Sequence, residues 1–565
     1  MEISSISGPL PPIPDSLTIP QFIFDCEHVT RPVRRAGTPW LIDDTTGRAI
    51  GRDELRKRTL GLANALHLKY GISHITKISN SLTDYPVAMW ATHMLGGVIS
   101  GANPDFLANE LLYQVRATRA SMIIAHPESL RIALEVAETA GLPQDCVVLF
   151  NVESSMSTYS KSERDTIDDL VEYGLNMKTS FSEKRLDPGE AKTRLAFLSF
   201  SSGTTGQPKA VAIPHYALIA NVIQMAAHNK INQNYCAWED QRYRPGDIAI
   251  GGRYPLPYIY GLVVNLHFIL HCAMTLVVVP KFNFTGMLDS IIRHRITHLF
   301  LVPPQVVLLC KHEAVKRYDL RQYIRLIMCG AAPLSHELNQ QLFSMFPDAH
   351  IGQGYGMTET CTVTTMWPIT SKRGKSGSSG VLIPGTVARV VKPDGSFAGY
   401  DESGELVVKS PSVALGYANN EQATRETFID GWVKTGDEVR IDKAGEVRVK
   451  GLQVAPAELE GCLLDHPDIS NACVVGIPDD YCGELPLAFV VLNKEVSGRL
   501  ERDPGLSAHL KASIMKYVAD NKVGYKHLAG GVEFVSSIPT SPSGKLLRRV
   551  LRDQSSEMRK AKAKL

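Results

Sequence analysis

No two of the ten cysteines stand as Cys-x-x-Cys, which excludes a zinc ribbon and a secreted disulfide framework and fits a reducing compartment. The opening stretch Met1–Ser16 carries Glu2, Asp15 and prolines where a secretory leader needs a basic start and an apolar run, so no leader is expected. An excess of either charge is also missing. Lys and Arg number 60 against 58 for Asp and Glu, a net +2, which gives no electrostatic reason to expect nucleic acid or an anionic membrane as partner. Long apolar runs are scarce. The longest, Tyr258 to Pro280, is broken by Asn265, His267 and His271, and Val277-Val278-Val279 before Pro280 reads as a strand end; a buried helix followed by a buried strand is expected there, not a membrane span. Internal repeats and low-complexity linkers are absent.

What remains is 565 residues at 44% hydrophobic and 21% charged, a globular composition too long for one ordinary core. Residues 50 to 350 alternate short apolar or β-branched runs with helical patterns: Ser121–Ala125, Cys146–Phe150, Thr297–Val302 and Leu326–Met328 are the expected strands. That alternation predicts parallel sheets covered by helices, an α/β architecture. From about Val381 the texture changes to strands punctuated by turns at Pro393-Asp394-Gly395, Glu402-Ser403-Gly404 and Lys443-Ala444-Gly445, which predicts an antiparallel subdomain. Beyond about residue 440 a smaller α+β module is expected, with a helix starting near Ala455–Glu458 and strands at Ala472–Val475 and Ala488–Val491.

The sharpest local signal is the run Leu195–Phe200 leading into Ser201-Ser202-Gly203-Thr204-Thr205-Gly206-Gln207-Pro208-Lys209. A strand delivers a loop in which glycine removes bulk, Ser and Thr supply donors and Lys adds a cation, the parts needed to hold polyphosphate. It is not a Walker A loop, because Pro208 precedes the lysine and no hydroxyl follows it. By itself such a loop is more often a turn.

Further motifs follow: Cys329-Gly330-Ala331-Ala332-Pro333-Leu334, Gln353-Gly354-Tyr355-Gly356-Met357-Thr358-Glu359, Gly431–Asp437, Lys450-Gly451-Leu452-Gln453-Val454-Ala455-Pro456-Ala457-Glu458-Leu459-Glu460 and Pro539–Lys545. In this order they resemble the adenylate-forming superfamily of acyl- and aryl-CoA ligases, luciferases and peptide-synthetase adenylation domains. The resemblance runs over nearly the whole chain from about residue 20 and is closest to the 4-coumarate:CoA ligase-like branch. It implies a large amino-terminal domain over residues 1–440, built of two parallel helix-covered sheets and a β-barrel-like subdomain. A smaller mobile α+β domain carrying the catalytic lysine would follow at 441–565.

The implied activity is ATP- and Mg²⁺-dependent activation of a carboxylic acid to an acyl-adenylate, followed by transfer to coenzyme A. By resemblance, Ser201, Ser202, Gly203, Thr204, Thr205, Gly206 and Lys209 would hold the β- and γ-phosphates, Thr358 the α-phosphate and Glu359 the Mg²⁺. Alone, a Thr-Glu pair would more often be a helix-start cap. Tyr355 would lie against adenine, while Gly330, Ala331, Gln353 and Gly354 line the nucleotide and acyl pockets, with Gln453 also at the nucleotide. Asp437 would accept from the ribose hydroxyls, although Thr435-Gly436-Asp437 alone reads as an ordinary turn. Lys545 would neutralise charge between the carboxylate and the α-phosphate. Lys450 and Gly451 would approach CoA, and Lys281 would face its nucleotide.

Two departures stand out. Tyr258 occupies a position where many relatives have a histidine at the acyl pocket; a tyrosine is bulkier and does not titrate near neutrality. The chain is also shorter by about ten residues between Asp437 and Lys450 on a hand alignment, losing the hinge motif about which the small domain turns. A misplaced splice boundary, a true shortening with altered kinetics and a degenerate enzyme all explain this, and the intact flanking motifs favour the first. Arg448 falls two before Lys-Gly and is no obvious stand-in for the hinge arginine.

The expected function is an AMP-forming acyl- or aryl-CoA ligase. Tyr258, Tyr260, Thr360, Cys361 and Thr362 suit an aromatic acid of cinnamic, benzoic or phenylacetic type, or a medium-chain fatty acid. Adenylation without CoA transfer, or a nucleotide-binding pseudoenzyme, are the alternatives. The pairs His267/His271 and His294/His298 have metal-ligand spacing but no acidic or cysteine partner to follow, so buried, hydrogen-bonded histidines are expected. The basic run 545–562 reads as a solvated helix, not a nucleic-acid contact. Ala563-Lys564-Leu565 is a near relative of the tripeptide address read by the peroxisomal import receptor, so a peroxisomal matrix location is expected.

Overall fold

The structure is a computed structural model that describes residues 1–71, 83–104, 106–151, 164–201, 208–251, 258–280, 282–330, 334, 336–450, 456–479, 483–522, 524–539 and 548–562. The chain divides into two compact units. Met1–Pro104, Leu111–Phe200 and Ala210–Gly451 form the larger, and Asp105–Glu110, Ser201–Lys209 and Leu452–Leu565 the smaller.

The larger unit is organised by a sheet of nine described strands, in the order Val381–Leu382, Thr362–Met366, His350–Met357, Leu326–Cys329, His298–Leu301, Ile248–Gly251, Thr275–Val278, Leu41–Asp43 and Ala49–Ile50. Its five inner pairings from His350–Met357 to Leu41–Asp43 are parallel, with antiparallel strands only at the margins. Thr275–Val278, His298–Leu301 and Leu326–Cys329 are buried at every position, as strands covered on both faces must be, and that is why they appear in sequence as continuous apolar runs. One face is covered by helices such as Phe284–His294. Asn283 caps that helix by accepting from Gly286 N–H at 2.9 Å, and Met287, Leu288 and Ile291 enter the cluster around Leu299, Leu301 and Ile327. A second cluster gathers the helix His215–His228 and the helical run Gly261–Phe268 and Ile269–His271. The 258–280 stretch is therefore a buried helix followed by a strand, as its interrupted hydropathy predicts. Among the described residues no helix is long and apolar enough to cross a membrane.

Smaller parallel pairings join Ile123–Ala125 with Val147–Leu149, and Ile99 with Phe197. Leu195–Ser201 and Lys209–Pro214 form a two-stranded sheet. The turn-punctuated region forms an antiparallel sheet: Glu2–Ser4, Val387–Val391, Gly404–Lys409, Trp432–Ile441 and Phe428–Ile429, with Val447–Lys450 added to Trp432–Ile441. In the smaller unit, Ile469–Asp479 and Gly483–Leu492 pair antiparallel, Gly531–Phe534 adds in parallel, and the helices Pro456–Leu464 and Leu506–Asn521 pack on the sheet. The carboxy-terminal helix Arg548–Lys562 buries Leu551 against Cys473, Val475 and Phe489.

The paired histidines are held separately. His267 Nδ1 lies 2.7 Å from Leu262 O and its Nε2 accepts from Trp90 Nε1, whereas His271 Nε2 lies 3.0 Å from Thr30 Oγ1. His294 pairs with Asp44 and His298 with the Arg242 carbonyl.

Arg242 is fully buried, an unusual place for a guanidinium. It donates to Asn229 Oδ1 at 3.2 Å, to the carbonyls of Trp367 at 3.0 Å and Ser371 at 2.9 Å, and to Pro368 O, while lying 4.2 Å from the centre of the Trp367 ring. Burial lowers its pKa to about 10, still a cation at neutral pH. The clamp holds Trp367 against Gly352, where a Cβ would come within 2.2 Å of the indole. Trp367→Ala should remove about 3–5 kcal/mol from the stability of the larger unit, the usual result of emptying a buried tryptophan site. A melting midpoint within a degree or two of the parent chain would contradict this.

Candidate functional site

The strand His350–Met357 carries Gly354 and Tyr355 past the carboxyl end of its parallel neighbour Leu326–Cys329, whose last residue pairs with Gln353 and leads into Gly330. Parallel sheets place their ligand crevices at such strand ends. Glycine is required in this strand by space. A Cβ on Gly356 would fall 1.4 Å from Thr362 O, and one on Gly354 would meet Met328 Cε at 2.7 Å. The strand bulges between Tyr355 and Gly356, which adds twist and redirects the side chains that follow.

Thr358–Thr360 then form a single 3-10 turn, not the start of a longer helix. The chain reverses through Cys361 at φ 52° and Thr362 at φ 100°. A β-branched residue at positive φ is strained, and such strain persists only where the surroundings hold it. Here Thr362 Oγ1 donates to Ile259 O at 3.1 Å, and Thr360 Oγ1 donates towards Met357 O at 3.1 Å while accepting from Thr364 Oγ1 at 3.1 Å. The turn buries Glu359 to 3% exposure, and its carboxylate Oε1 accepts from Tyr417 Oη at 2.8 Å.

Asp437 reaches the same strand from elsewhere in the sequence. The Thr435-Gly436-Asp437 run, which alone reads as a turn, lies inside the strand Trp432–Ile441; Gly436 has φ 75°, and Asp437 N–H donates to Thr435 Oγ1 at 3.1 Å. Turn-like bonding is thus embedded in a paired strand. Asp437 Oδ2 accepts from Tyr355 Oη at 2.7 Å across 82 residues of sequence. Burial raises the Asp437 pKa, with the Glu405 charge acting in the same direction and the Tyr355 hydroxyl opposing. Burial, followed by the Asp437 charge, pushes the Tyr355 phenol well above its ordinary range, so it remains a donor.

Beyond the neighbouring strand Leu326–Cys329, Gly330 faces the Tyr260 ring, where a Cβ would sit 3.2 Å from Cζ. The Tyr260 hydroxyl is buried and has no hydrogen-bond partner among the described residues, and burial holds its pKa well above the usual value. Tyr258 begins the helical run, its carbonyl accepting from Leu262 N–H at 2.9 Å. Gln353 Oε1 accepts from Leu334 N–H at 2.9 Å, which fixes the amide beside the Gly330 segment.

The remaining expected residues divide into two groups. Ser201 ends one strand and Lys209, 9% exposed, begins the next. Lys450 closes the strand Val447–Lys450 opposite Glu438, and Arg448 donates to Ser376 O at 3.2 Å. Ser202, Gly203, Thr204, Thr205, Gly206, Lys281, Ala331, Gly451, Gln453, Lys545 and the tripeptide Ala563–Leu565 lie outside the described residues. Tyr417 was not expected from sequence. The turn-rich run Gly416-Tyr417-Ala418-Asn419-Asn420 marks its position but not its partner.

A carboxylate with a raised pKa loses its charge at a higher pH than an ordinary aspartate as the solution is acidified. ATP affinity that depends on ionised Asp437 should therefore fall early on the acid side. Tyr355→Phe should move that fall to higher pH still and weaken ATP binding about tenfold at neutrality, the effect of losing a hydrogen bond to a charged group. An unchanged acid limb in a titration of ATP binding would contradict the role of the Tyr355–Asp437 bond.

Residues 30–418 match the family model for AMP-binding enzyme, and residues 458–545 match that for the AMP-binding enzyme C-terminal domain. Among curated relatives, 4-coumarate--CoA ligase 2 of Oryza sativa subsp. japonica is 32% identical over 96% of this chain and 93% of its own. The probable 4-coumarate--CoA ligase 1 of Dictyostelium discoideum is 33% identical over 89% of each. Among solved structures, the amide bond synthetase McbA from Marinactinospora thermotolerans shares the fold at a TM-score of 0.73 and 22% identity, covering 95% of this chain and 99% of that one. A double mutant of o-succinylbenzoate CoA synthetase from Bacillus subtilis does so at 0.70 and 23%, covering 91% and 96%.

Proposed function

The chain belongs to the AMP-binding enzyme family, and from that premise we propose that it is an AMP-forming acid–CoA ligase acting on an aromatic or medium-chain carboxylic acid. The observation that carries this reading is the convergence of Tyr355, Asp437 and the buried Glu359 on one glycine-dependent strand and the turn that ends it.

In the first step a carboxylate oxygen of the acid attacks the α-phosphorus of ATP. A C(O)O–P bond forms, the Pα–O–Pβ bond breaks, and pyrophosphate leaves with its electron pair. Such a step is promoted by positioning and charge stabilisation more than by covalent chemistry of the protein. Tyr355 presents a ring to adenine, Asp437 accepts from the ribose hydroxyls, and Thr358 donates to the α-phosphate. Lys545 neutralises charge at the reacting oxygens. In the second step the CoA sulfur attacks the acyl carbon, AMP departs with the ester oxygen, and the thiol proton passes to solvent.

Glu359 fits a hard divalent cation. Its carboxylate is an oxygen donor already oriented by a neutral hydroxyl. Among the described residues no cluster of three His, Cys, Asp or Glu gathers. Mg²⁺ bound with ATP there would offset phosphate charge.

A second reading, adenylation with transfer to an acceptor other than CoA, is favoured by the short connection after Asp437. The hairpin pairs Ile441 with Val447 and Glu438 with Lys450, so the strand persists to the residue before Gly451, where the larger unit ends. A peroxisomal matrix location belongs to the acid–CoA ligase reading, resting on Ala563-Lys564-Leu565; a fluorescent fusion bearing the tripeptide should localise to peroxisomes, and one lacking it should not.

Thioester formation should be measured with cinnamic, benzoic, phenylacetic and medium-chain fatty acids, ATP and CoA. The reading expects AMP and acyl-CoA in equal amounts, with Lys545→Ala lowering the rate on the order of 10²- to 10³-fold, as loss of one transition-state charge stabiliser does. AMP formed with an amine acceptor but not with CoA would select the second reading. ATP binding with no AMP from any acid would overturn both.

A further inference from the structure

Glu359 is held by a segment of the larger unit that none of the sequence motifs above includes. The run Ala414–Tyr417 meets the Thr358–Thr360 turn at two points: Ala414 N–H donates to Glu359 O at 2.9 Å, and Tyr417 Oη donates to Glu359 Oε1 at 2.8 Å. We propose that Tyr417 is a positioning residue for Glu359, its hydroxyl fixing the rotation of the carboxylate that meets the divalent cation bound with ATP. The inference rests on the ATP-site reading of Glu359 given above.

Three features make Tyr417 suited to this work. Its backbone is anchored, since its N–H donates to Thr424 Oγ1 at 2.9 Å and it bridges to Val211 in antiparallel fashion. Gly416, at φ 140°, leaves room for Thr424, whose Cγ2 would lie 2.5 Å from a Cβ there. The residue is 8% exposed, and its ring packs edge-on against Phe428, with centroids 5.5 Å apart. The hydroxyl therefore arrives from a rigid scaffold.

The chemistry follows from the acceptor. The terminal torsion of a glutamate is broad and about two-fold, so packing alone leaves the carboxylate plane poorly defined. A phenol donating to one oxygen sets that plane without cancelling the charge, which an arginine or lysine would partly do. Outer partners of a ligating carboxylate typically change metal affinity by on the order of 10- to 100-fold.

Four variants test this: Tyr417→Phe, which removes the hydroxyl and keeps the ring; Phe428→Leu, which loosens the ring packing and keeps the hydroxyl; Glu359→Gln; and the double variant Tyr417→Phe/Glu359→Gln. Affinity for MnATP is read by electron paramagnetic resonance of Mn²⁺ with the acid omitted, alongside thermal melting. Tyr417→Phe should weaken MnATP on the order of 10- to 100-fold with a melting midpoint near the parent value. Phe428→Leu should lower the midpoint while weakening MnATP less than Tyr417→Phe does, because the hydroxyl is retained. The double variant should bind no more weakly than Glu359→Gln alone. Parental affinity in Tyr417→Phe, or a full additional loss in the double variant, would overturn the positioning role while leaving the reading of Glu359 intact. Parental affinity in Glu359→Gln would overturn that reading, and the positioning role with it.

Discussion

The site depends on one steric constraint, the narrow channel through which the strand His350–Met357 passes. The Trp367 indole lies where a side chain on residue 352 would be, and the Thr362 carbonyl lies where one on residue 356 would be. Only glycine fits at those two positions, and the strand can carry Tyr355 to its place only because they are glycine. The constraint is set from both sides. Arg242 fixes Trp367 from within the core, and the strained reversal at Cys361 and Thr362 sets the carbonyl against Gly356. Core packing, backbone strain and site geometry are therefore one problem in this protein.

On that frame the electrostatics are simple. Two acidic side chains far apart in sequence each accept a hydrogen bond from a tyrosine, Asp437 from Tyr355 and Glu359 from Tyr417. A phenol orients a carboxylate while leaving its charge in place, which suits the proposed contacts to ribose hydroxyls and a phosphate-bound cation. Burial works against that charge at Asp437, and the tyrosine hydroxyl offsets part of the effect.

Much of the architecture was legible in the sequence because parallel strands covered on both faces must be apolar throughout. Val147–Leu149, His298–Leu301 and Leu326–Cys329 fall within a residue of the runs that predict them, and Ile123–Ala125 within two. The helix and strand between Tyr258 and Pro280 were legible from the polar residues that interrupt the run. Asp437 reads in sequence as a turn residue and not as a strand residue, because a glycine at positive φ inside a strand looks like a turn to any local rule. Tyr417 was missed for a different reason. It meets Glu359 across 58 residues, and no periodicity encodes a bond between two segments that only the folded sheet brings together. The buried Arg242 was likewise invisible, since arginine reads as a surface residue until its carbonyl partners are known.

The central claim is that this site joins an acid to the α-phosphate of ATP. Isotope exchange between labelled pyrophosphate and ATP tests it directly, because label can enter ATP only if the first step runs in both directions on the enzyme. The account predicts exchange that requires the acid, needs no CoA, and falls on the order of 100-fold or more in Lys545→Ala. Exchange that proceeds without any acid, or ATP that binds and never exchanges with any acid of the aromatic or medium-chain classes, would contradict it.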